Sequence, residues 1–87
     1  MKNIKFLDFW ASWCSPCQAM KPVISEIEKE LKGQVEVIQI NVDENQAEAS
    51  KYGVMGIPTF IVLKDGKEVG RKTGVTPKID LLKMISA

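Results

Sequence analysis

The chain has no histidine and only two cysteines among its 87 residues. A structural zinc takes four ligands, mostly Cys and His, and the chain supplies two of that kind. An ordinary zinc site is therefore excluded, leaving only one shared between two chains. Secreted miniproteins held by disulfides are excluded as well, because such scaffolds are dense in cysteine. Charge of one sign is missing too: twelve Lys and Arg face eleven Asp and Glu, a net +1. Neither nucleic acid nor an acidic membrane surface finds a basic footprint here. Long apolar runs are absent, and none approaches the roughly 18 residues of a spanning helix. The first residues, "MKNIKFLDFW", start basic, but their apolar run is short, includes Asp8, and meets no small-residue cleavage site. These absences point to a cytoplasmic chain.

What is present reads as one globular domain over 1–87, at 45% hydrophobic and 26% charged residues. "IKFLDFW" (4–10) is a mostly apolar strand, suited to cover on both faces. A helix starts near Pro16, where a missing N–H is harmless, and carries Met20, Val23, Ile24, Ile27 and Leu31 at helical spacing. Gly33 suits the position past its end, and Pro22 inside it predicts a kink. Residues 34–42 form a second strand. Asn45 to Tyr52 is a short helix, with Asn45 and Glu48 spaced as a capping box. "TFIVL" (59–63) is a central strand, and Asp65-Gly66 a tight hairpin turn into a polar edge strand over 67–73. Thr76 and Pro77 open a last helix, as N-cap and first position, with Ile79, Leu82 and Ile85 on its apolar face. The order β-α-β-α-β-β-α predicts an α/β fold: one mixed four-stranded sheet with helices on both faces.

Both cysteines lie in "WCSPC" (13–17). A static crosslink over so short a loop would stabilise little. Two buried inert thiols are the bland alternative. The junction between strand and helix, a position expected at the surface, favours a redox pair. A thiol at a helix N-terminus meets unpaired N–H groups and the positive end of the helix dipole, both of which favour the thiolate. Cys17, one turn on, is placed to attack a mixed disulfide formed by Cys14. CxxC beside a β-α-β pattern is a specific signal for this chemistry.

Two more positions stand out. Ile4, Phe6, Asp8 and Trp10 share one face of the first strand, which sets a carboxylate among apolar neighbours. Such a group is costly unless paired, neutralised or functional, although Asp8 at a solvated strand end is the alternative. Pro58 heads an apolar strand, as proline may, and a cis bond there is one option.

With these residues assembled, the chain resembles the thioredoxin family. "DFWASWCSPC" (8–17) and "GIPTF" (56–60) match its active-site and cis-proline segments, and "YGVMGIPT", "KDGKEVG" and "TGVTP" follow in order. The resemblance implies a protein-disulfide reductase in which Cys14 attacks and Cys17 resolves. It assigns proton transfer at Cys17 to Asp8 and a position facing the disulfide to Pro58. It places Trp13, Gly56, Ile57, Gly74 and Val75 on the substrate surface, with Trp10 packed beneath. No prosthetic group is implied. The partners implied are disulfide-containing proteins and a thioredoxin reductase, with the chain a monomer. A glutathione-coupled, glutaredoxin-like enzyme and a redox-inactive binding module are the alternatives.

The chain departs from the family in several ways. The leading strand and helix are missing, which predicts an exposed sheet edge along 35–41. Between the cysteines, Ser15 replaces the usual glycine ahead of Pro16, and its hydroxyl either meets the Cys14 thiolate or satisfies backbone. Gln18 and Gln39 replace two usual lysines. Losing two cations predicts that charged Asp8 and charged Cys14 are disfavoured.

Overall fold

The computed structural model describes residues 3–87; Met1 and Lys2, which open the segment weighed as a leader, lie outside the described residues. The elements follow in the predicted order: β1 (Ile4–Trp10), α1 (Ser15–Glu30), β2 (Glu36–Asn41), α2 (Gln46–Lys51), β3 (Thr59–Lys64), β4 (Lys67–Thr73) and α3 (Lys78–Ser86). The sheet runs β2-β1-β3-β4, with β1 parallel to β2, β1 antiparallel to β3, and β3 antiparallel to β4. The two apolar strands are central and the two polar ones are edges, so the strand along 36–41 is exposed at one margin as expected.

Alternation along the central strands sorts the core into two layers. Phe6, Phe60 and Val62 meet Met20, Ile24 and Ile27 of α1 and Leu81 and Ile85 of α3. On the opposite face, Leu7, Phe9, Ile61 and Leu63 pack with Ile40, and Ala49 and Tyr52 of the α2 segment cover them. Phe6 and Phe60 stack across the β1–β3 pair with centroids 5.8 Å apart. Truncating either fully buried ring would cost about 3–5 kcal/mol.

Local chemistry moves several boundaries. The strand expected over 34–42 is shorter, because the amides of Gln34 and Val35 donate to the Leu31 carbonyl (2.9 and 3.0 Å) and close a turn after α1. Gly33 sits in that turn at φ 87°. Helix α1 runs unbroken through Pro22. The capping box at Asn45 does not form: its Nδ2 donates to the Asn41 carbonyl (3.1 Å) instead. Helix α3 begins after Pro77, not after a Thr76 cap, and the Thr76 hydroxyl donates to the Gly74 carbonyl (3.0 Å). Its buried stripe is Leu81 and Ile85, and Ile79 is 58% exposed.

Asp65 and Gly66 both have positive φ (53° and 82°), as a two-residue turn of the right twist requires. Further along β4, Gly70 lets α3 approach closely: a Cβ there would lie 2.5 Å from Met84 Cγ and 2.9 Å from its Sδ. Gly70→Val is therefore expected to destabilise the protein by roughly 1–3 kcal/mol through overpacking. Urea unfolding measures the loss, and adding Met84→Ala should recover much of it.

Candidate active site

Topology brings the site residues to one end of the sheet. Parallel β1 and β2 both finish there, and the Val42 amide donates to the Trp10 carbonyl (2.9 Å) at that margin. Antiparallel pairing sets the start of β3 beside the end of β1, with Phe9 opposite Thr59. The hairpin returns the end of β4 to the same place, Thr73 opposite Thr59. The loops carrying Cys14, Asp43, Pro58 and Gly74 thus converge from four distant parts of the sequence.

Cys14 caps α1 with extended backbone, and its Sγ accepts the Cys17 amide at 3.2 Å. Pro16 lies in the helix's first turn, where it deprives no carbonyl of a partner. Cys14 and Cys17 form a disulfide, with Cα atoms 5.2 Å apart. The expectation of a surface position for Cys14 is corrected: both cysteines are 4% exposed. They form a small cluster with Ala11, covered by Trp10, Val42 and Ile57. Ser15 is exposed and its hydroxyl meets no partner among the described residues, whereas Gln18 Nε2 donates to the Ser12 carbonyl (3.3 Å).

Asp8 is 6% exposed on the α1 face of β1, so a solvated strand end is ruled out. Burial pushes its carboxyl up to about 6, opposed by a hydrogen bond from Gln39 and the charge of Lys21. Gln39 is its register partner on β2. Desolvation is the largest cause of the raised value.

The Ile57–Pro58 bond is cis. The Gly74 amide donates to the Pro58 carbonyl (2.7 Å), which ties the loop after β4 to this segment, and Thr59 Oγ1 donates to the Gly56 carbonyl (2.5 Å) within it. Trp13 stands 68% exposed, and its indole N–H donates to Asp43 Oδ2 (2.9 Å). Trp13, Gly56 and Ile57 line an apolar groove of about 350 Å³ with Val42, Ala49, Val54 and Met55. Gly74 and Val75 are not among its lining residues, and Val75 is 65% exposed.

Sequence reasoning missed three participants. Asp43 anchors Trp13, Met55 is 97% exposed at the groove, and Lys21 acts on Asp8. Met55 was in plain sight inside the quoted "YGVMGIPT" segment. Lys21 gave no signal beyond its helical spacing from Cys17. Among the described residues, no group of three or more His, Cys, Asp or Glu is arranged to hold a metal ion.

A Cys-x-x-Cys disulfide capping a helix, at the carboxyl end of a parallel strand pair, defines a thiol–disulfide exchange protein. The comparisons agree. The thioredoxin family model matches residues 1–87. The chain is 44% identical to the thioredoxin of Bacillus subtilis over 85 residues, spanning 98% of this chain and 82% of that one. Among solved structures, the thioredoxin of Fasciola hepatica superposes with a TM-score of 0.89 at 38% identity, covering 97% of this chain and 79% of that one. Oxidised mitochondrial thioredoxin 3 from Saccharomyces cerevisiae gives 0.89 at 31% identity, covering 97% and 77%. The chain belongs to the thioredoxin family, and it is a thiol–disulfide oxidoreductase.

Proposed function

We propose that the chain reduces protein disulfides by a cycle in which each site residue has a distinct part. The Cys14 thiolate attacks one sulfur of a substrate disulfide, forming a mixed disulfide and expelling the first substrate thiolate. Cys17 loses its proton to Asp8 and attacks the Cys14 sulfur, which releases the second substrate thiolate and leaves the Cys14–Cys17 disulfide. Two electrons pass to the substrate, and a thioredoxin reductase returns two to the protein. The cysteines carry them without a prosthetic group.

The observation carrying this reading is Cys14 at the helix cap, its sulfur already accepting the Cys17 amide at 3.2 Å. The same N–H and the helix dipole stabilise a thiolate there. Buried Asp8, with a carboxyl near 6, suits proton exchange near neutral pH. In this reading Pro58 faces the disulfide, and the Ile57 backbone pairs with an extended substrate segment as an added strand does. Trp13, Gly56 and Ile57 give that segment apolar contact, with Gly74 and Val75 at its other margin. Ser15, Pro16, Gln18 and Gln39 tune the pair. We read the protein as a monomer working in the reducing cytoplasm, and among the described residues no helix is long and apolar enough to cross a membrane.

Insulin reduction coupled to NADPH and a thioredoxin reductase tests the partner assignment. Turnover is expected with the reductase and little with glutathione and glutathione reductase. The reverse ranking would overturn it in favour of glutathione coupling.

A further inference from the structure

Positions 18 and 39, near the site, are both glutamine. One cation acts on the buried Asp8 carboxyl, Lys21 of α1, and its pull is smaller than that of burial or of Gln39. Cys17 and Lys21 are four residues apart on that helix, one above the other on its surface. Asp8 and Trp10 are two apart on β1 and share the face toward α1. The two pairs meet: Lys21 Nζ lies over the Trp10 ring, 4.8 Å from its centroid. Trp10 in turn packs on the cluster of Ala11, Cys14 and Cys17.

An ammonium over an indole face is attracted by the ring quadrupole, which narrows the positions a long flexible side chain visits. Lys21 is exposed and would otherwise sweep through solvent. Held by Trp10, it stays within electrostatic reach of Asp8. The other elements packed around Asp8 bring no charge to it: β2 presents Gln39 opposite and β3 presents Phe60. From α1, the charged group that acts on Asp8 is Lys21, and Cys17 of the same helix titrates only once reduced.

We propose that Lys21 is a positioning residue for disulfide exchange: clamped on Trp10, its ammonium supplies the charge that supports the Asp8 carboxylate when Cys17 gives up its proton. The proposal rests on the reading that Asp8 accepts that proton. Salt should weaken the effect, because the ammonium is solvent-exposed.

Lys21→Gln and Lys21→Arg test it through two readouts on the full chain. One is the NMR titration of the Asp8 carboxyl in the reduced protein. The other is the pH profile of the step in which Cys17 releases a bound substrate, followed by stopped flow. Lys21→Gln is expected to move the Asp8 titration to higher pH. At pH 6.5 it should slow release about two- to fivefold, the size of one solvent-screened charge interaction. Lys21→Arg should restore both, and about 0.5 M salt should bring wild type toward Lys21→Gln. An Asp8 titration unchanged in Lys21→Gln overturns the role of Lys21. A titration that moves while the release profile stays put overturns the proposal at its premise, the Asp8 proton transfer.

Discussion

Cys14→Ser is expected to abolish insulin reduction, while Cys17→Ser stops the cycle one step later with the substrate still attached. Loss in Cys14→Ser should be at least about 10³-fold, since the attacking species is a thiolate and a hydroxyl stays protonated at neutral pH. Cys14 owes its reactivity to position: it caps α1, and the Cys17 amide already points at its sulfur. Cys17, in the helix's first turn, lacks that place. In Cys17→Ser, therefore, Cys14 still attacks, but no second thiol remains to release the product. Mass spectrometry of that variant mixed with a disulfide substrate should show one stable covalent adduct on Cys14. Equal activity of Cys14→Ser and wild type would remove the redox mechanism and leave a binding module.

Asp8→Asn is expected to stabilise the fold at pH 8 while impairing exchange. The Asp8 carboxyl is raised from 3.8 to about 6 in the folded protein by burial. The folded state therefore binds the proton more tightly than the unfolded chain does. Below pH 3.8 this group makes no difference to stability; as pH rises through the window to about 6, stability falls, and the loss is complete above it. A displacement of that size corresponds to roughly 3 kcal/mol. Asn removes the loss, so the variant should exceed wild type by roughly 2–3 kcal/mol at pH 8 and converge with it near pH 4. Other groups, such as Glu68 held below its usual range by Arg71, change stability in the opposite sense as pH falls, but they are common to both proteins. Urea unfolding at both pH values measures the difference. Without its proton acceptor, the Cys17 step should slow on the order of 10²-fold at pH 7, the low end for a positioned general base. Stopped flow separates that step from attack by Cys14. A variant both less stable at pH 8 and normally active would contradict the role given to Asp8.

Element order was readable because its signals are local. Apolar strands, the Asp65-Gly66 turn and the apolar spacing from Met20 to Ile27 each depend on neighbours in sequence. Alternation put Asp8 in phase with Phe6 and Trp10 but left a solvated strand end open, and its burial decided between them. Where two local partners compete, sequence reading failed. The Thr76 hydroxyl donates to the Gly74 carbonyl, and the helix starts one residue later, after Pro77. Asn45 similarly turned back to Asn41. Burial of Cys14 was hidden because its cover, Val42 and Ile57, arrives from other loops. Lys21 was hidden for the same reason: on a helix surface it looks like any solvated lysine until Trp10 is placed beneath it.

The central claim is that the helix cap makes Cys14, and not Cys17, the nucleophile. It is tested most directly by alkylating the reduced protein with iodoacetamide across pH and locating the label by mass spectrometry. Label is expected on Cys14 first, with an apparent pKa below the ordinary thiol value of about 8.5. Equal labelling of the two cysteines at that ordinary value, or prior labelling of Cys17, would contradict it.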